Sequence, residues 1–127
     1  SVAQAIVYGA FDIIKEKEKE WLIMKALYPA ISTFEEPEEE FTKGAYFVEF
    51  PDFYCYTFGE TIEEAYNNAE DVLNLVLYVK KEQKVEIPKA SFIMDIKCND
   101  KSFVSLVKAD TRVYYKKYKH ILNRKNR

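Results

Sequence analysis

Between residues 44 and 77 the chain changes its period. Tyr46, Val48 and Phe50 alternate with Phe47 and Glu49, so a strand here sets the first three on one face and the other two opposite. Pro51-Asp52 breaks that strand, because proline cannot continue a ladder and aspartate favours turns. Residues 53–58 (Phe-Tyr-Cys-Tyr-Thr-Phe) are a second run of β-formers, which predicts a hairpin closed by Gly59. The spacing then lengthens. Ile62, Ala65, Tyr66, Ala69, Leu73, Val76 and Leu77 recur at helical intervals, and Glu63, Asn67, Asn68, Glu70, Asp71 and Asn74 fall on the other side. Thr61 starts this helix with a capping box: its hydroxyl accepts from the Glu64 N–H while the Glu64 carboxylate reaches back to the Thr61 N–H. The apolar face can be buried only if the helix lies on the hairpin.

The flanks extend this unit. In residues 1–23, Val2, Ile6, Ala10 and Ile13 form a helical stripe with Val7 and Ile14 beside it, and residues 15–20 alternate in charge. An extra helix is expected there, packed on the core or on a second copy, and Met24 offers an alternative first residue. Residues 25–34 read as a first strand with Leu27, Ala30, Ile31 and Phe34 available for burial; Pro29 within it implies an edge position or a bulge. Residues 35–43 (Glu-Glu-Pro-Glu-Glu-Glu at their start) form an exposed loop, since that charge density cannot be buried. A polar connection over 80–90 leads to a fourth strand at 91–97, a turn at 98–101 and a fifth strand at 102–109. Asp110 caps a last helix through Arg112, Tyr114, Tyr115, Tyr118 and Ile121. The organisation is one α+β domain over 24–121, a helical extension over 1–23 and a basic tail over 122–127.

Composition agrees with one domain: 127 residues, 48% hydrophobic and 16% aromatic, suffice for a packed core. A net charge of −2 gives no general case for nucleic-acid binding. The charge is uneven, however, acidic over 35–40 and basic over 116–127, which fits either charged partners at each end or two solvated segments. Cys55 and Cys98 form no C-x-x-C, and two thiols alone cannot make a structural zinc site. No apolar run approaches the roughly 20 residues of a membrane helix, and a cytoplasmic location is expected.

Candidate chemistry is sparse. The single histidine, His120, lies in the basic segment with no orienting partner in view. Phosphate-loop, nucleophile-elbow and dinucleotide fingerprints are absent. Glu49, Asp52, Glu64, Asp71 and Asp95 raise a two-metal nuclease reading, but residues 25–34, where such a fold needs a ligand, hold no acid. No catalytic, cofactor or metal residue is assigned, and an enzyme is not expected.

The residues that do form a pattern are Tyr28-Pro29-Ala30-Ile31, then Tyr46-Phe47-Val48-Glu49-Phe50-Pro51-Asp52, then Cys55, Thr57, Gly59-Glu60-Thr61, Glu63-Glu64-Ala65, Asn68-Ala69 and Leu73, with Ile87-Pro88, Ser91, residues 104–110, Tyr114, Lys117 and Tyr118 following. In this order and spacing the chain resembles the HicB-like antitoxin family of prokaryotic type II toxin–antitoxin systems over about three-quarters of its length. The positions make physical sense as scaffold: Pro51-Asp52 sets a turn, Gly59 permits an unusual backbone angle and Thr61 caps a helix. The resemblance implies a β-β-β-α-β core, a degenerate RNase H-like fold without nuclease residues, here with the extra N-terminal helix and a C-terminal strand plus helix. It implies binding of a small HicA-type toxin, an mRNA-cleaving protein whose active site the antitoxin covers, and assembly into homodimers or homotetramers. Many members add a C-terminal DNA-binding module. This sequence stops at Arg127, where a ribbon-helix-helix would begin, so a complete module is not expected. Its turn, Asp52-Phe53-Tyr54-Cys55, is one residue shorter than the family's usual D-L-P-G-C.

Two functions follow. The first is an antitoxin-type binding protein that sequesters the toxin, with partner contacts at Glu35, Glu36 and Glu38 in the acidic loop and at Asp52, Phe53 and Tyr54 at the hairpin tip. The second is an orphan protein of the same fold that binds RNA or DNA through Arg112, Lys116, Lys117, Lys119, Arg124 and Lys125, with tyrosines interleaved for stacking. Neither requires a cofactor.

Overall fold

The change of period at Gly59–Thr61 is the pivot of the fold. In the computed structural model, which describes residues 24–38, 43–113 and 116, the elements run β1 (Lys25–Glu35), β2 (Ala45–Phe50), β3 (Cys55–Gly59), α1 (Ile62–Glu82) and β4 (Ser102–Asp110), with a short 3-10 turn at Ile93–Asp95. The strands form one antiparallel sheet in the order β3-β2-β1-β4, and α1 covers one of its faces. The order of elements is the expected β-β-β-α-β.

The period-2 pattern decides which side chains meet α1. Tyr28 and Ala30 from β1, Val48 and Phe50 from β2 and Val107 and Ala109 from β4 pack against Ala65, Ala69, Leu73 and Leu77 of the helix. The helix uses alanines in its first turns and leucines later. The small side chains let it approach Gly59 closely: a Cβ on Gly59 would lie 2.3 Å from the Ala65 nitrogen and 2.7 Å from its Cα. Gly59 is therefore required for space. It sits in the extended backbone of β3, so the expected unusual angle is not the reason for it. The positive φ falls instead on Tyr54 (54°) in the hairpin turn and on Lys84 (58°) after α1.

Thr61 caps α1 as expected, its hydroxyl accepting from the Glu64 N–H at 3.0 Å. The return bond differs. The Glu64 carboxylate faces the Glu60 N–H at 3.5 Å, one residue before the cap. Lys80 and Lys81 lie in the last turn, where cations favour the helix dipole.

Three further expectations are corrected. Pro29 lies in neither an edge strand nor a bulge: β1 is internal, and its register with β4 runs unbroken from Lys25↔Asp110 to Thr33↔Ser102. The Phe34 N–H bonds the Lys101 carbonyl and the Thr111 N–H bonds the Met24 carbonyl, so even-numbered residues of β1 address β4 and odd-numbered ones address β2. Pairing with β2 begins at Ile31↔Glu49. The nitrogen of Pro29 thus points past the paired part of β2, and no ladder bond is lost. The second correction concerns residues 91–97, which form no strand. The place beside β1 is taken by β4, Phe92 and Met94 are 64% and 78% exposed, and Asp95 N–H closes the 3-10 turn on the Phe92 carbonyl. Among the described residues the sheet has four strands, not five, and β4 is the last strand of the core. Third, β3 starts at Cys55, because Phe53 and Tyr54 are used in the turn. The helix expected over 1–23 lies outside the described residues, as does the last helix beyond residue 113 apart from residue 116; residues 111–113 are helical and the Asp110 carboxylate accepts from the Arg112 N–H at 3.0 Å.

Candidate partner-binding surface

The hairpin tip is built to hold one aromatic outward. The N–H groups of Phe53 and Tyr54 both donate to the Phe50 carbonyl, at 3.1 and 3.0 Å, which folds the chain back after Pro51. Phe53 turns inward, edge-on to Tyr28 with ring centroids 4.6 Å apart. The Asp52 carboxylate accepts from both the backbone N–H and the hydroxyl of Ser91. Tyr28, buried beneath, donates its hydroxyl to the Pro88 carbonyl at 2.7 Å, and burial together with the nearby Asp52 pushes its pKa up. Of the three expected tip residues, Asp52 therefore ties the hairpin to the segment that follows α1, and Phe53 packs on Tyr28 of β1. Tyr54 is left at 94% exposure.

Tyr54 continues into the face of the sheet that α1 does not cover. There Phe47 stands opposite Phe58 across β2 and β3, with centroids 5.8 Å apart, and Glu49 stands opposite Tyr56. Phe47, Phe58 and Tyr56 are 41%, 56% and 74% exposed. A shallow hollow of about 310 Å³ is floored by Ile31, Thr33, Phe47 and Glu49 and walled by Tyr54 and Tyr56. Phe47 also lines a second hollow of about 620 Å³, with Glu35, Glu36, Glu38, Lys43 and Ala45. One continuous surface thus runs from the acids at the end of β1, over the aromatic pairs of β2 and β3, to Tyr54. The Glu36–Lys101 pair at 3.9 Å is solvent-exposed and holds little energy.

The structure brings Glu35, Glu36, Glu38 and Tyr54 to this surface. Sequence reasoning did not single out Phe47, Tyr56 and Phe58 as its floor. The signal was present: in a strand starting at Cys55, residues 56 and 58 oppose residues 55, 57 and 59, and Gly59 marks the side that faces the helix. Of the basic candidates, Arg112 and Lys116 are exposed; Lys117, Lys119, Arg124 and Lys125 lie outside the described residues, as do Tyr114, Tyr115, Tyr118 and His120. The acids once weighed as metal ligands are dispersed among the aromatic face (Glu49), the tether to Ser91 (Asp52) and the start of α1 (Glu64). Among the described residues no helix is long and apolar enough to cross a membrane.

No protein-family model matches the chain, and no curated protein matches it. Among solved structures it is similar to a chain from a toxin–antitoxin complex of Streptococcus pneumoniae, at 30% sequence identity and a TM-score of 0.60. The match covers 72% of this chain and 73% of that one. At that identity and coverage, this chain belongs to the same toxin–antitoxin protein family.

Proposed function

We propose that the protein is a HicB-like antitoxin that sequesters a small, basic, mRNA-cleaving HicA-type toxin by covering its active site. On this reading the β-β-β-α-β order is the degenerate RNase H-like core, the protein acts in the cytoplasm, and it carries out no catalytic step of its own. The observation that supports it most is the surface of β2 and β3. Exposed aromatics at its centre give rigid, desolvable contact area of the kind that dominates interface energies. Acids at one end give attraction to a cationic, RNA-binding surface, which speeds encounter more than it strengthens the final complex. A single-stranded RNA would also stack on such aromatics, but Glu35, Glu36, Glu38 and Glu49 set negative charge where phosphates would run.

The test is co-expression with the small basic protein encoded beside it, followed by titration calorimetry of the purified pair. Rescue of growth and a tight complex, both weakened by Tyr56→Ala, are the expected results. Failure to bind such a neighbour, with salt-sensitive retention of RNA or DNA that depends on Arg112 and Lys116, would overturn the reading in favour of the nucleic-acid alternative.

A further inference from the structure

Tyr54 reaches the partner surface from an unusual backbone. Its φ of 54° lies in the left-handed region, which a residue with a Cβ keeps only where its surroundings impose it. At 94% exposure its ring is not held by packing, so the backbone of the turn decides where it stands. Within the turn that backbone hangs on one acceptor, the Phe50 carbonyl, which the Phe53 and Tyr54 N–H groups share. The remaining restraint comes from the two side chains just before Tyr54. Asp52 is bonded to Ser91, and Phe53 packs edge-on against Tyr28.

Both restraints lead to one place. Tyr28 donates its hydroxyl to the Pro88 carbonyl, just ahead of Ser91. That stretch belongs to residues 83–101, which join α1 to β4 through one short 3-10 turn and no strand. Ile87 and Ala90 pack against the core, so residues 87–91 make a fixed post for the hairpin tip. The tie at Ser91 is charge-assisted. Its N–H and its hydroxyl both donate to the Asp52 carboxylate, one to each oxygen, and such bonds are stronger than those between neutral groups.

We propose that Ser91 is a positioning residue of the partner surface: through Asp52 it holds the left-handed turn that stands Tyr54 at the wall of the hollow floored by Phe47 and Glu49. This role rests on the partner-binding function proposed above and adds a control point to it. Ser91 serves as a double donor. Negative charge placed on residue 91 sets two anions against each other and frees the tip. Loss of the hydroxyl alone leaves the backbone N–H bond in place and does less.

The experiment has two arms, both on the full chain with Ser91→Ala, Ser91→Asp and Ser91→Thr. The first needs no partner. In NMR spectra a positive φ gives an intense cross-peak between the N–H and Hα of the same residue. Wild type and Ser91→Thr show it at Tyr54, and Ser91→Asp loses it while the resonances of Leu73 and Leu77 stay in place. Should Ser91→Asp disturb the core, Asp52→Ala, which removes both bonds without adding charge, gives the same reading. The second arm is titration calorimetry with the small basic partner. Affinity falls several-fold in Ser91→Ala and about tenfold in Ser91→Asp, and Ser91→Thr restores it. In a Tyr54→Ala background the Ser91 substitutions change affinity no further, which separates positioning from a general loss of stability. A Tyr54 cross-peak that survives the loss of the Asp52–Ser91 bonds, or Ser91 and Tyr54 effects that add independently, would overturn the proposal. If the wild type binds no such partner, the function proposed above falls, and the NMR arm alone upholds or overturns the role of Ser91.

Discussion

The two faces of β2 and β3 carry the same kinds of residue and do opposite work. On the helix side, Val48 and Phe50 are 2% and 0% exposed, locked among Ala69, Leu73 and Leu77. One residue along, on the other side, Phe47, Tyr56 and Phe58 lie against solvent, although each is as apolar as its neighbours. Burial on the first face is where the fold takes its stability, at about 25 cal/mol for each Å² of apolar surface removed from water. Apolar surface left exposed on the second is poised to be buried by something else. Composition alone does not separate them; a one-residue offset in the strand does.

That contrast can be broken from either side. The largest effect is expected inside: Leu73→Ala opens a cavity under α1 and should cost about 2–5 kcal/mol, read as a lowered midpoint in chemical denaturation. Gly59→Ala forces a methyl into the backbone of Ala65 and should cost about 1–3 kcal/mol or more by overpacking. On the outer face, Tyr56→Ala should leave the melting temperature near wild type, within about 0.5 kcal/mol of stability. It should weaken partner binding by about 2 kcal/mol. A fall in stability with binding intact would reverse the roles assigned to the two faces. Exchanging Glu35, Glu36 and Glu38 for glutamines should slow association several-fold at low salt, leave dissociation unchanged and flatten the salt dependence, as stopped-flow mixing would reveal.

The smallest effect lies between the faces, on the flank of α1. Burial raises the Glu70 carboxyl above its usual range, Asp71 adds to this, and Lys108 opposes it. The folded state therefore holds that proton more firmly than the unfolded chain does. Its contribution is complete at acid pH and is lost as pH rises through the folded-state pKa. Glu70→Gln should melt slightly above wild type at neutral pH, with the gap closing on acidification. A gap that widens in acid would contradict that sign.

The elements that could be read from sequence are those where local pattern and final packing agree. The hairpin, the Thr61 cap and the helix beyond it were legible because turn chemistry, period and capping all specify the same structure. Pro29 misled because a missing N–H matters only on the side where a partner strand runs, and β2 is not yet paired there. Residues 91–97 misled because Phe92, Met94 and Ile96 alternate as a strand would, while the one vacancy beside β1 went to 102–110. Strand pairing is a competition that no single segment reveals. At the candidate surface, Glu35, Glu36, Glu38 and Tyr54 were legible from charge and turn position. Asp52 and Phe53 turned inward because Ser91 and Tyr28, distant in sequence, supply their partners. The aromatic floor was hidden by a β3 boundary placed two residues early, which obscures the contrast between its faces.

Where β1 begins and β4 ends, the chain is stitched to itself. The Met24 N–H donates to the Thr111 hydroxyl at 2.6 Å, and the Thr111 N–H donates to the Met24 carbonyl at 3.0 Å. A domain whose entry and exit lie side by side behaves like a cassette: it can be spliced into a surface loop of a host protein without prising that loop apart. The same closeness suits circular permutation. A short linker joining residue 111 to residue 24, with new termini cut in an exposed turn, would leave the strand order β3-β2-β1-β4 intact.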